Sequence, residues 1–276
     1  MKKTPLLISL LLAINLIALT ACGGGGSSSS PASSTTPPVT PPTTPPVTPT
    51  GASILVPLYE DPSDTKTWNA IISAKAANPT VPIVAIINPN NGPGNSLDPT
   101  YAAAVAQLKA AGIIVYGYIA TNSGGQSLTS MEAQMSQYVQ WYGTTGMFFD
   151  EMAYSSGFES YYSALTQYAK SLGMLTTIGN PGSDTLPSYI GTVSTIVIFE
   201  QAGYPTTSFL SGGWHATYAP SNFAYISYGV PTFSAATELA NAPYVQYQYI
   251  SDQTGANPYN ALPSYFASEV STLASK

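Results

Sequence analysis

Three acidic residues directly follow apolar stretches of the sequence, a position in which carboxylates can do acid–base chemistry. Asp150 and Glu151 follow the apolar residues 147–149, and Glu200 follows the apolar residues 196–199. Apolar surroundings cost a carboxylate its hydration and raise its pKa toward that of a useful general acid. Cleavage of a glycosidic bond uses two such groups, one to protonate the leaving oxygen and one to act as nucleophile or base. We therefore predict that Asp150, Glu151 and Glu200 form a catalytic cluster.

The adjacency of Asp150 and Glu151 leaves their division of labour open. Neighbours on a strand point to opposite faces of a sheet, although the backbone can turn at a strand end and bring both side chains into one site. Alternatively, Asp150 caps the next helix or satisfies backbone groups, and Glu151 works with Glu200. In a third reading, all three carboxylates are structural and catalyse nothing.

The predicted strands and helices that position these acids alternate regularly along the chain. Amphipathic stretches predict helices at residues 66–77, 99–111, 131–142, 158–172 and 262–273. Continuous apolar runs typical of strands covered on both faces occur at residues 54–58, 83–87, 113–119, 147–150, 175–178, 195–199, 223–227 and 245–250. Eight βα units in about 250 residues are typical of a parallel barrel, so we predict an α/β fold of the (β/α)8 TIM type. A doubly wound open sheet is the alternative, but residues 92–94 lack the third glycine of a dinucleotide-binding fingerprint.

In such a barrel, substrate binds at the carboxyl ends of the strands. Polar and aromatic residues at or beyond those ends are predicted to contact substrate, namely Tyr59, Asn88, Tyr118, Asn180, Trp214, Tyr228 and Asp252. Trp214 lies in a glycine-rich loop, where it could equally stack on a sugar or pack against the protein. The single histidine, His215, follows it, and a Ser-His-Asp esterase built on His215 lacks the G-x-S-x-G elbow.

The composition excludes several classes of function. With one cysteine and one histidine, a typical zinc site is not available, and we expect neither a metal nor a cofactor. Thirteen acidic residues face seven lysines and no arginine, which excludes a nucleic-acid partner. Twenty tyrosines and three tryptophans are typical of carbohydrate-stacking surfaces, so a neutral or cationic polysaccharide is the expected partner.

The amino-terminal residues predict export and anchoring. Residues 1–21 have the charged start and short apolar run of a signal peptide, and they end in a lipobox at Cys22, the predicted site of lipidation. Residues 22–50 are a Gly/Ser- and Thr/Pro-rich stalk, and residues 51–276 are predicted to form the barrel. We expect an exported bacterial lipoprotein at the cell surface or in the periplasm, on the outer membrane if the host is Gram-negative. We also expect a monomer that contacts the membrane only through its lipid.

Several motifs together resemble the spherulin-4 family. They are VPLY at 56–59, VAIINPNNGPG at 84–94, GYIAT at 117–121, FFDE at 148–151, NPG at 180–182 and FE at 199–200. The family includes fungal (β/α)8 glycoside hydrolases that cleave galactosaminogalactan, an α-1,4-linked exopolysaccharide, although not every member need be an enzyme. The resemblance implies that Asp150, Glu151 and Glu200 are the catalytic acids. It also implies substrate contacts near Asn88, Tyr118, Asn180 and Tyr228.

Three hypotheses follow from the sequence. The first is an endo-acting glycoside hydrolase on a galactosamine- and N-acetylgalactosamine-containing exopolysaccharide. The second is a non-catalytic polysaccharide-binding or matrix protein that keeps the barrel groove. The third is an esterase or deacetylase dependent on His215. Retention or inversion of anomeric configuration stays open, because it depends on a carboxyl separation that sequence does not give.

Overall fold

A computed structural model describes residues 52–275, which form a closed barrel of eight parallel strands joined in chain order. The strands are β1 (Ser53–Leu58), β2 (Ile83–Ile87), β3 (Ile114–Ala120), β4 (Gly146–Asp150), β5 (Thr176–Gly179), β6 (Thr195–Ala202), β7 (Phe223–Tyr228) and β8 (Tyr247–Ile250). The predicted (β/α)8 architecture is confirmed, and the ends of each predicted strand lie within about three residues of those observed.

The predicted signal peptide (residues 1–21), stalk (residues 22–50) and lipidated Cys22 lie outside the described residues. Within residues 52–275, no helix combines the length and the apolar character needed to cross a membrane.

Helices cover the outside of the barrel unevenly. They are α1 (Thr65–Ala77), α2 (Pro99–Ala110), α3 (Leu128–Tyr142), α4 (Glu159–Ser171), α5 (Thr207–Leu210), α6 (Ala235–Asn241) and α7 (Phe266–Ala274). The sequence predicted α1 to α4 and α7. It missed α5 and α6, which are too short to show a clear apolar period. Between β5 and β6 the chain forms only a 3-10 turn at Pro187–Tyr189 in place of an α-helix.

The first helices begin at capping residues near the carboxyl ends of the strands. The carboxylate of Asp98 accepts the backbone N–H groups of Thr100 and Tyr101 at 2.8 and 3.1 Å. Asp64 caps α1 in the same way through Thr67. Such caps satisfy amide groups that have no partner within the helix, so they fix where each helix leaves the barrel mouth.

Close packing between β3 and α3 depends on a glycine. A Cβ atom at Gly117 would lie 2.6 Å from the ring of Tyr138, which is fully buried against the strand. The Tyr138 hydroxyl donates to the carbonyl of Ile87 at 3.3 Å, so the ring also ties α3 to β2.

An irregularity in β6 decides which way Glu200 points. The register of β6 against β7 shifts between Val197 and Phe199, and it pairs Val197 with Ala224 and Glu200 with Ile226. Paired residues of parallel strands share a face, and Ala224 and Ile226 lie on the same face of β7. The bulge therefore places Glu200 on the same face of the sheet as Val197, the interior of the barrel, where strict alternation would have turned it outward.

Candidate active site

Asp150 and Glu200 meet at the mouth of the barrel through the side chain of Asn180. The Asn180 amide nitrogen donates to Asp150 Oδ1 at 2.8 Å and to Glu200 Oε2 at 2.7 Å. The two carboxylate oxygens are therefore at most 5.5 Å apart, the sum of these distances. Asn180 is 3% exposed, and its own Oδ1 accepts the N–H of Gly182 at 3.0 Å, which fixes which way the amide faces.

Two tyrosines supply further hydrogen bonds to this pair. The Tyr118 hydroxyl, at the end of β3, donates to Asp150 Oδ2 at 2.8 Å. The Tyr259 hydroxyl donates to Glu200 Oε1 in a short hydrogen bond. Each oxygen of both carboxylates thus accepts a hydrogen bond from a neutral donor, an arrangement that favours the ionised form.

Tyr59 links the two tyrosines into a continuous aromatic wall. Its ring meets Tyr118 edge-on with centroids 5.4 Å apart, and it meets Tyr259 edge-on at 5.8 Å. Edge-to-face contacts of this length are favourable, so the three rings hold each other in place. The side chains that close the ring around the site are Asp150, Asn180, Glu200, Tyr259, Tyr59 and Tyr118.

Burial and hydrogen bonding act in opposite directions on the two carboxyl groups. Burial raises the pKa of Asp150 above its ordinary value, against the hydrogen bonds from Tyr118 and Asn180 that lower it. Burial also raises the pKa of Glu200, the negative charge of Asp150 adds to the rise, and Tyr259 and Asn180 oppose it. A raised pKa suits a buried carboxyl group to proton transfer.

Glu151 occupies a different position from Asp150. The strand ends at Asp150, and Glu151 adopts a left-handed backbone conformation with φ of 50° and an exposed side chain. Its carbonyl is held by the N–H of Ser123 at 2.8 Å and by the hydroxyl of Thr121 at 2.8 Å. The backbone does turn at the strand end, and it leaves the Glu151 carboxylate at the rim, without a hydrogen bond to the described residues.

The alternative in which Asp150 caps the next helix is wrong. Helix α4 begins at Glu159, and its cap residue is Phe158 with no side-chain hydrogen bond. The Asp150 side chain instead bonds Tyr118 and Asn180.

Three further residues predicted to contact substrate lie at or just beyond strand ends, and the following hydrogen bonds join them to neighbouring loops rather than to Asp150 or Glu200. Asn88 accepts the N–H of Gly92 at 2.9 Å and so shapes the loop after β2. Tyr228 ends β7, and its carbonyl accepts the N–H of Gly203 at 2.9 Å. Asp252 follows β8 and accepts the N–H of Ser264 at 3.1 Å, so its carboxylate holds the loop after β8.

Trp214 and His215 do not join the cluster. The Trp214 ring packs on Phe223 at 5.5 Å, and Phe223 is the first residue of β7, at the end of that strand opposite the mouth. His215 is 4% exposed; its Nδ1 lies 3.0 Å from the carbonyl of Phe209 and its Nε2 3.0 Å from Asp184 Oδ1. With both ring nitrogens engaged by these partners, His215 has no nitrogen left to activate a serine.

Tyr259 is the site residue that the sequence did not reveal. It lies in the loop after β8, nine residues past the end of that strand, so the position of strand ends gave no indication of it. The preceding Asn257-Pro258 marks only a turn, and the Tyr259 N–H donates to Asn257 Oδ1 at 3.1 Å. Among residues 52–275, no cluster of three or more histidine and acidic side chains is arranged to hold a metal ion.

Comparisons with known proteins agree with this architecture. The model of spherulation-specific family 4 matches residues 53–273 of this chain. Spherulin-4 from Physarum polycephalum is 32% identical over 237 residues, which cover 80% of this chain and 69% of that protein. The crystal structure of Aspergillus clavatus Sph3 in complex with GalNAc matches with a TM-score of 0.72 at 21% identity, over 81% of this chain and 98% of that one. The structural likeness shows a shared fold, and the family resemblance read from the sequence motifs is confirmed.

Proposed function

Because this chain belongs to spherulation-specific family 4, we propose that it is an endo-acting glycoside hydrolase for an α-1,4-linked exopolysaccharide of galactosamine and N-acetylgalactosamine. The observation that carries this proposal is the pair of carboxylates, Asp150 and Glu200, bridged by Asn180 at the barrel mouth. Glycoside hydrolysis needs two carboxyl groups on either side of the scissile bond, and a (β/α)8 barrel presents them at this end.

The separation of the two groups supports a double-displacement reaction. Carboxyl groups about 5–5.5 Å apart are typical of retaining glycosidases, in which one carboxylate forms a covalent bond to the sugar. In the proposed first step, the ionised Glu200 attacks the anomeric carbon while Asp150 gives its proton to the leaving glycosidic oxygen. In the second step, Asp150 takes a proton from a water molecule that attacks the same carbon, which releases Glu200 and restores both groups.

In this proposal Glu151 binds the sugar chain at the rim of the barrel. Its exposed carboxylate at the rim is free of hydrogen bonds to the described residues, so it can bind hydroxyl or amino groups of the sugar chain. If Glu151 rather than Asp150 supplies the proton, the reaction classes stay the same and only the acid changes. The two assignments differ in their response to the leaving group.

The proposed substrate class is supported by chemistry of the whole chain. Acidic residues outnumber lysines thirteen to seven, a balance suited to a polymer that carries free amino groups. The site wall of Tyr59, Tyr118 and Tyr259 offers aromatic surface beside the acids. The structural relative from Aspergillus clavatus was solved in complex with GalNAc.

Release of reducing ends from galactosaminogalactan tests the proposal. We expect Glu200→Gln and Asp150→Asn to lose most activity, and Glu132→Gln, a change on helix α3 outside the barrel, to keep it. On an aryl glycoside whose leaving group needs no proton, the variant that lacks the acid should still release a first equivalent of the aryl group and then stall, because the same residue is the base of the second step. Asp150→Asn and Glu151→Gln compared in this assay distinguish the two assignments. Tight oligosaccharide binding with no new reducing ends over long incubation would instead identify a non-catalytic binding protein.

A further inference from the structure

The loop after β8 brings a phenol to a catalytic carboxylate. The Tyr259 hydroxyl donates to Glu200 Oε1, while the amide of Asn180 occupies Oε2. The other side-chain hydrogen bonds that residues 52–275 make to the pair come from Tyr118 in β3 and from Asn180, the residue after β5. Tyr259 reaches the site from the long loop after β8, so its position depends on what holds that loop.

The loop is tied down on both sides of Tyr259. Before it, Asn257 accepts the Tyr259 N–H. After it, Ser264 bonds Asp252 through its N–H at 3.1 Å and through its hydroxyl at 2.5 Å, and the Tyr265 hydroxyl donates to the carbonyl of Val230 at 2.8 Å. The Tyr259 ring itself rests edge-on against Tyr59. These contacts fix the hydroxyl where it meets Glu200.

We infer that Tyr259 is a positioning residue that orients the Glu200 carboxylate and keeps it ionised for nucleophilic attack. This inference rests on the function proposed above. The phenol keeps its proton and transfers none in the reaction, because burial and the charge of Glu200 raise the pKa of Tyr259 far above its ordinary value. Its hydroxyl therefore acts only as a hydrogen-bond donor. Its hydrogen bond offsets the burial and the Asp150 charge, which both favour the protonated form of Glu200.

The titratable groups that face Glu200 come from several elements. Asp150 lies at the end of β4, Tyr118 lies in β3, Tyr59 directly follows β1, and Tyr259 lies in the loop after β8. The tyrosines stay neutral across the working range of pH because burial raises the pKa of each. Asp150 is therefore the one of these four whose charge changes together with that of Glu200, and its carboxyl group is present in the wild-type protein and in both variants.

Tyr259→Phe tests the inference with Tyr168→Phe as the matched control. Both remove one phenol hydroxyl, but the Tyr168 hydroxyl on α4 meets the hydroxyl of Ser136 on α3 at 2.9 Å, outside the barrel, rather than a carboxylate. The Glu200 carboxyl is titrated by carbon NMR in protein with labelled glutamate, its signal being assigned with Glu200→Gln. We expect its titration to move to higher pH in Tyr259→Phe only. The acidic limb of kcat/KM should move the same way, and kcat at neutral pH should fall about tenfold to a hundredfold, the cost of one hydrogen bond to a charged group.

Equal Glu200 titrations in the wild-type protein and both variants would overturn the inference, whatever the activities. A loss of activity in Tyr259→Phe with no movement of the acidic limb would also overturn it, because that result marks a purely structural tyrosine. If no polymer is cleaved by the wild-type protein but the titration shifts in Tyr259→Phe, the proposed function fails and the role of Tyr259 toward Glu200 stands.

Discussion

Replacing Asn180 with alanine is expected to disable the site while leaving the barrel folded. The change removes two hydrogen bonds to carboxylates, at 2.8 and 2.7 Å, and each such bond contributes about 1.5–3 kcal/mol. If most of this is lost from the transition state, kcat/KM should fall by about 10²- to 10⁴-fold. Initial rates of reducing-end release across a range of substrate concentrations give the change directly, with circular dichroism to verify the fold.

Asn180→Asp tests the electrostatic part of this prediction. It keeps the shape of the side chain but replaces the shared donor with a third negative charge beside Asp150 and Glu200. We expect lower activity than Asn180→Ala at neutral pH and partial recovery as the pH falls, because the introduced carboxyl group can donate again once it is protonated.

The matched control for these variants is Asn78→Ala, which removes an asparagine donor at the end of α1. Its amide bonds the Ala74 carbonyl at 3.0 Å, at the end of the barrel opposite the mouth. This variant should lose some thermal stability and no kcat/KM. If Asn180→Ala keeps kcat/KM within about threefold of the wild-type value, the bridge between Asp150 and Glu200 does not support catalysis and the reasoning is refuted.

Three other predictions concern stability and stereochemistry. Burial raises the pKa of Glu269 well above its ordinary value. At pH values between the ordinary pKa and the raised one, Glu269 is ionised in the unfolded chain but still protonated in the folded chain. The free energy of unfolding therefore falls as the pH rises through this interval. Glu269→Gln should therefore raise the unfolding temperature in calorimetry at alkaline pH and change it less at about pH 4; an equal effect at both would contradict this. Because the nearest oxygens of Asp150 and Glu200 are at most 5.5 Å apart, proton NMR of the first product should show retained anomeric configuration, and an inverted product would exclude them as the working pair. Gly117→Ala would push a Cβ to 2.6 Å from the Tyr138 ring, so urea unfolding should show a loss of about 1–3 kcal/mol, and an unchanged midpoint would show that Tyr138 can move aside.

The barrel could be predicted from the sequence because its strands are buried on both faces. Runs such as Ile83–Ile87 are continuously apolar, and the same boundaries appear in the structure. The short helices Thr207–Leu210 and Ala235–Asn241 could not be predicted, because neither spans enough turns to show an apolar stripe.

The clustering of the acids could be predicted, but not the contacts that bring Asp150 and Glu200 together. Asp150 was recognisable as the polar end of an apolar run. That Glu200 faces it depends on the bulge after Val197, which a sequence pattern of period two does not reveal. The position of Tyr259 depends on the path of a long loop, and the Trp214 ring packs on Phe223 at the end of β7 opposite the mouth. Both outcomes come from tertiary packing rather than from local sequence.

The left-handed backbone at Glu151 sets thermal stability against the proposed role of its carboxylate. For a residue with a side chain, this conformation is unfavourable by about 1–2 kcal/mol, and glycine adopts it without that cost. Selection for thermal resistance alone would therefore favour glycine at this position and remove the carboxylate from the rim. A programme of directed evolution toward a more heat-stable variant should keep this codon fixed, and it should look for stabilising changes on the far side of the barrel instead.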